Sequence, residues 1–166
     1  QRDFPGGAEP LEVARDHIST TLLGKRLHVC SVEGLPEFQE NVLLDLDVDY
    51  LIFPRVSYGS GDPHPALPWC WPEELVSRLQ ARGLQWDMVT IAYSVRGGFT
   101  PLRWKYLGDE LEARLGGGVE GTVRGMELIR GGAEAAVRGE FRVSETNYLE
   151  AAARLPSSML YTHFCS

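Results

Sequence analysis

Cysteine is scarce in this sequence. Its three residues, Cys30, Cys70 and Cys165, stand far apart and form no C-x-x-C pair. That argues against a cysteine-paired zinc knot, and an odd, sparse set argues against a disulfide framework. Basic residues are also few, with 16 Lys and Arg against 23 Asp and Glu and a net charge of -7. Nucleic acid is therefore not expected as a main partner, because phosphate binding needs a basic face. No apolar run approaches the ~20 residues of a membrane span, so no membrane partner is expected. No signal peptide is recognised, and the thiol usage predicts a reducing, cytoplasmic setting.

The 166 residues suffice for one domain with its own core. Leu11, Ala14, Ile18, Thr21 and Leu22 recur at helical spacing, which predicts a helix over 11–23 stopped by Gly24. Short strands are predicted over 26–32 and 42–48. Residues 54–72 form a long connection with five prolines, a length that is usually functional when ordered. Pro72 opens a helix that Gly83 closes. Residues 87–94 (DMVTIAYS) read as a strand buried on both faces. Thr100 is the expected cap, and Pro101 the first residue, of a helix ending at Gly116. A glycine-laden helix follows over 119–140, and Ser144 is the expected cap of a last helix reaching Arg154. This order predicts an α/β fold with a mostly parallel sheet.

In open parallel sheets, ligands gather at the carboxyl ends of strands. Asp45, Asp47 and Asp49 alternate there, so all three are expected on one face, with Leu44, Leu46 and Val48 packed on the other. Like charges crowded at the edge of a core repel, and a hard divalent cation offsets that cost. A solvated strand end with capping aspartates is the plainer alternative. Ser94, Gly97, Gly98 and Thr100 form a strand-to-helix loop open to close ligand approach. His64, in the proline-rich connection, is a candidate proton shuttle or metal ligand, with a surface loop histidine as the plainer alternative. Trp69 is a candidate wall of a substrate mouth or an anchor for its loop. His17, His28 and His163 show no ligand spacing.

The segments LLDLDVDYLIFPR, PWCWPEEL and VTIAYSVRGGFTPLRWKYLGDEL together resemble the arginase-like family that includes the peptide arginases. The resemblance spans roughly residues 40–115. It implies a three-layer α/β sandwich around a parallel sheet and a site holding two Mn²⁺ ions. It implies hydrolysis of arginine side chains in a ribosomal peptide to ornithine, with release of urea. On this resemblance Asp45 and Asp47 are metal ligands, with Asp45 bridging. Beside the resemblance, the residues themselves offer His64 as the catalytic candidate and Asp49, Ser94, Gly97, Gly98, Thr100 and Trp69 as substrate-binding candidates. The family's upstream His and Asp-x-His-x-x-x-Asp run have no counterpart here. The expectation is that a preceding segment of the same protein completes the site and that this chain is the C-terminal part of the fold. Small-molecule arginases carry a glutamate where this chain reads Ala92-Tyr93-Ser94, so guanidinium recognition is expected to differ, with Asp49 or loop groups in that role. Two other readings remain. One is a haloacid-dehalogenase-like phosphohydrolase with Asp45 as nucleophile, Asp47 as general acid, and Ser94 and Lys105 as its later motifs. The other is a non-catalytic arginase-like module that binds a peptide.

Overall fold

The computed structural model describes residues 10–52, 67–96, 99–118 and 120–156. The first segment is not a helix. Strands β1 (Glu12–Val13), β2 (His17–Leu22) and β3 (Lys25–Cys30) form an antiparallel meander in the order β1-β2-β3. The same apolar residues that fit a helical spacing also fit alternation, because Ile18, Thr20 and Leu22 are two apart. The branched side chains of Ile18, Thr20 and Thr21 favour the strand. Gly24 serves the hairpin rather than a helix end. Leu22 pairs with Lys25, and Leu23 and Gly24 turn between them with φ of 52° and 73°. Two successive positive φ values suit the twist of a tight hairpin. Leu23 is 68% exposed and fits that backbone poorly. Leu23→Asn is therefore expected to raise stability by about 1 kcal/mol in a thermal or denaturant melt.

A 3-10 turn (Val32–Gly34) leads to β4 (Val42–Asp47). The four-residue helix α1 (Asp49–Ile52) follows it directly. Helix α2 (Pro72–Ala81) precedes β5 (Trp86–Ala92), which pairs with β4 in parallel. A second 3-10 turn (Leu102–Trp104) then leads to α3 (Tyr106–Leu115), α4 (Glu120–Val137) and α5 (Phe141–Arg154). The architecture is mixed α/β, with a parallel two-stranded pair and helices beside a separate antiparallel meander.

Several boundaries differ from expectation. Thr100 caps no helix: the chain turns at Leu102–Trp104 first, and α3 begins at Tyr106. Ser144 is not a cap either, since α5 starts three residues earlier at Phe141 and buries Ser144. Burial of β5 on both faces is also overturned. Val89 and Ile91 pack against the core, but Met88 is 59% exposed, and its registered partner Leu43 is 65% exposed. Among the described residues, the helices cover one face of the pair and leave the other open.

The core joins Leu44, Val48, Leu51 and Ile52 to Leu75, Val76 and Leu79 of α2. It continues through Trp104, Leu107, Leu111, Met126 and Ile129. Helix α5 and the residue that follows it pack closely on α4 because of the glycines of α4. A Cβ on Gly132 would stand 3.0 Å from the Tyr148 ring, and one on Gly125 would stand 2.6 Å from Leu155. Between α3 and its neighbours lies a charged cluster. Arg114 Nε donates to Glu110 Oε1 at 2.7 Å, and the same guanidinium reaches Glu127 at 3.2 Å. Glu110 is fully buried. Burial pushes its carboxyl up, against the pull of Arg114. No helix among the described residues is long and apolar enough to cross a membrane.

Candidate functional site

The alternation of β4 sets the site. Leu44, Leu46 and Val48 turn toward the core, while Asp45 and Asp47 stand exposed on the open face. Parallel pairing places Thr90 opposite Asp45 and Ala92 opposite Asp47. Thr90 Oγ1 donates to Asp45 Oδ1. Beyond the strand end, Ser94 Oγ donates to Asp47 Oδ1 at 2.7 Å. Each aspartate thus has one oxygen fixed by a hydroxyl from the neighbouring strand or the loop that leaves it.

Asp49 departs from its expected place. It is the first residue of α1 rather than the third strand aspartate. Its backbone N–H donates to Asp47 Oδ1 at 3.3 Å. Asp49 still belongs to the cluster electrostatically. Burial and the adjacent Asp47 charge push its carboxyl above the ordinary value of 3.8. The chain therefore crowds two carboxyl groups at this strand end.

Ser94 adopts φ of 51°, a left-handed conformation that non-glycine residues rarely take. Such strain costs about 1–3 kcal/mol and clusters at functional sites. Its carbonyl accepts the Thr100 N–H at 3.3 Å, closing the loop between them. Thr100 is 1% exposed, and among the described residues its hydroxyl has no hydrogen-bond partner. Gly97, Gly98 and His64 lie outside the described residues.

Tyr93 braces Ser94 from the preceding position. Its hydroxyl donates to Asp109 Oδ1 at 2.7 Å, and burial and that carboxylate push the phenol well up. Lys105 Nζ lies 4.9 Å from the centre of the Tyr93 ring and 3.4 Å from Asp109. Gly108 makes room for the ring, since a Cβ there would stand 2.4 Å from it. Gly108→Ala is expected to displace Tyr93 and cost about 1–3 kcal/mol of unfolding free energy by overpacking. A melt on the purified variant checks this.

Trp69 has the anchoring part of its two expected roles. Its Nε1–H donates to the Tyr50 carbonyl, and its ring meets Tyr50 edge-on with centres 5.2 Å apart. Yet 38% of the residue is exposed, beside Tyr50, which follows Asp49 in the chain. Cys70, next to it, is inert, with burial pushing its thiol up to about 11. A cleft between α2 and the α3–α4 turn, lined by Glu73, Ser77, Gln80 and Arg114, lies apart from the aspartates. Its Glu73 and Arg114 charges face each other at 3.8 Å.

Sequence reasoning missed Thr90 and the Tyr93–Asp109–Lys105 brace. Thr90 carried a signal: a lone hydroxyl inside an apolar parallel strand, four residues before Ser94. Asp109 carried none, because its role follows from how α3 docks.

Comparison of the chain with protein-family models, with curated proteins and with solved structures gives no significant match.

Proposed function

We propose that the chain is an arginase-like hydrolase of guanidino groups. On this reading it takes an arginine side chain of a peptide to ornithine, releasing urea. The observation that carries the reading is the carboxyl end of β4. There Asp45 and Asp47 lie on an open face, each held by a hydroxyl, beside a strained Ser94. A polar cluster at the carboxyl end of parallel strands is where this class of fold places its chemistry.

The two-manganese set implied by the resemblance does not fit the described residues alone. Among them, no three His, Cys, Asp or Glu side chains are grouped to hold a metal ion. What fits is one hard cation on the free oxygens of Asp45 and Asp47, with water completing its shell. Such an ion, when bound, would lower the pKa of a water and supply the nucleophile. The chain's own part is clearer. Thr90 and Ser94 orient the two carboxylates, as outer hydrogen bonds do at metal sites. Asp49, once ionised, can accept the planar N–H fork of a guanidinium. The exposed face of Trp69 can stack on that same plane.

The test incubates an arginine-containing peptide with the protein and Mn²⁺. Urea and an ornithine-containing product are expected. Asp49 also sets a pH dependence. Its carboxyl titrates above 3.8, so guanidinium capture strengthens as pH rises through that higher value. Asp49→Asn should remove this limb.

One observation favours the phosphohydrolase as a second reading: Ser94, just beyond the end of β5, touches the D-x-D pair. Lys105 weighs against it, being engaged by Asp109 and the Tyr93 ring. Phosphate release with Mg²⁺, lost in Asp45→Asn, would select that reading. Metal binding with turnover of neither substrate would select the peptide-binding module.

A further inference from the structure

The hairpin of β2 and β3 carries a second cluster, on a different sheet from the aspartates. Directly opposed residues of an antiparallel pair share a face. His17 is opposite Cys30 and Ser19 is opposite His28, so His17, His28 and Cys30 lie on one side of the hairpin. The rings of His17 and His28 have centres 5.3 Å apart, tilted by 37°. Two imidazoles on one tetrahedral ion, with N–metal bonds of about 2.0–2.1 Å, have ring centres about 5 Å apart. The pair is therefore already spaced for a shared ion. Asp16 Oδ1 stands 2.9 Å from His17 Nδ1. A carboxylate taking the Nδ1–H leaves Nε2 as the free electron pair, the usual second bond of a metal-binding histidine. Cys30 is half-buried, unlike the enclosed Cys70, and is not in a disulfide.

We propose that His17, His28 and Cys30 bind one Zn²⁺, or another borderline-soft divalent ion, with water in the fourth position. Asp16 is a positioning residue that orients His17. The donor set is two nitrogens and one sulfur, which selects Zn²⁺ over the hard Mn²⁺ suited to Asp45 and Asp47. No three such side chains converge yet among the described residues. The movement required is rotation of exposed or half-buried side chains, which takes picoseconds to nanoseconds. Cys30 has one χ angle to turn. On binding, the Cys30 thiol gives its proton to solvent and its thiolate bonds the ion. The ion would tie β2 to β3 and stabilise the hairpin by mass action.

The test titrates the full chain with Co²⁺, a spectroscopic substitute for Zn²⁺. One equivalent is expected to give the absorption of a tetrahedral ion with a thiolate charge-transfer band, and Zn²⁺ should displace it. Cys30→Ser should abolish the band. His17→Ala and His28→Ala should each weaken binding by about tenfold or more, and Asp16→Asn by about tenfold with the band's position unchanged. These positions are exposed or half-buried, and circular dichroism verifies that each variant folds. No thiolate band in the wild type overturns the proposal. So does a band that survives Cys30→Ser, or binding indifferent to both histidines.

Discussion

Arg114→Ala is expected to lower the unfolding free energy by about 3–5 kcal/mol at neutral pH, the cost of leaving one buried charge without its partner. Glu110 is fully buried and accepts from Arg114 at 2.7 Å, and Arg114 is itself only 14% exposed. Arg130 adds only a smaller electrostatic pull on Glu110, and among the described residues its second oxygen has no hydrogen-bond partner. The pH signature follows from the direction of the shift. Burial places the folded carboxyl above its ordinary value of 4.5. The folded state then binds more protons than the unfolded state between 4.5 and the folded value. This contribution is therefore fully present below 4.5 and is lost as pH rises through the folded value. Without Arg114 the shift is larger. The deficit of Arg114→Ala should accordingly shrink when melts are run at acid pH. Replacing both partners, as Glu110→Leu with Arg114→Met, should cost much less than the single change. A single change costing under 1 kcal/mol would show that water reaches Glu110.

The second large effect lies at the strand end. Asp47→Ala is expected to abolish Mn²⁺ binding at this site and urea release with it. Ser94→Ala, which removes only the hydroxyl that orients Asp47, should weaken Mn²⁺ by about 10–100-fold. Ser94→Gly should weaken it equally while leaving stability within about 1 kcal/mol of wild type. Relief of the positive φ there offsets the extra freedom of glycine in the unfolded chain. Ser94→Ala keeps the same backbone strain as serine and should also melt within about 1 kcal/mol of wild type, so a binding defect shared by both variants reports orientation of Asp47 rather than folding.

The parts of this molecule that could be read in advance are those where one signal dominates. The apolar run before Asp45, the Pro72 helix start and the apolar strand ahead of Ser94 all fall where expected. Asp45, Asp47 and Ser94 meet because β4 and β5 are neighbours, which the strand-helix-strand order implied. The meander was illegible for a definite reason. Leu11, Ala14, Ile18 and Leu22 satisfy a helical period, and the turn that decides otherwise puts Leu23, not glycine or asparagine, at positive φ. That turn is also why His17 and His28 looked unrelated: eleven positions apart in sequence, they become neighbours only across the hairpin. Asp49 was misplaced because its own amide bonds to Asp47 and starts α1 at once. The openness of the β4–β5 face depends on which layers cover it, and an apolar strand sequence does not reveal that.

The central claim is that Asp45 and Asp47 hold a hard divalent cation, and it can be tested without any turnover. Substoichiometric Mn²⁺ broadens amide resonances near the bound ion in an NMR spectrum. The account predicts selective loss of signals from residues 45–49 and 90–94, absent in an Asp45→Asn/Asp47→Asn variant. Broadening confined to other parts of the chain, or the same pattern in that variant, would contradict it.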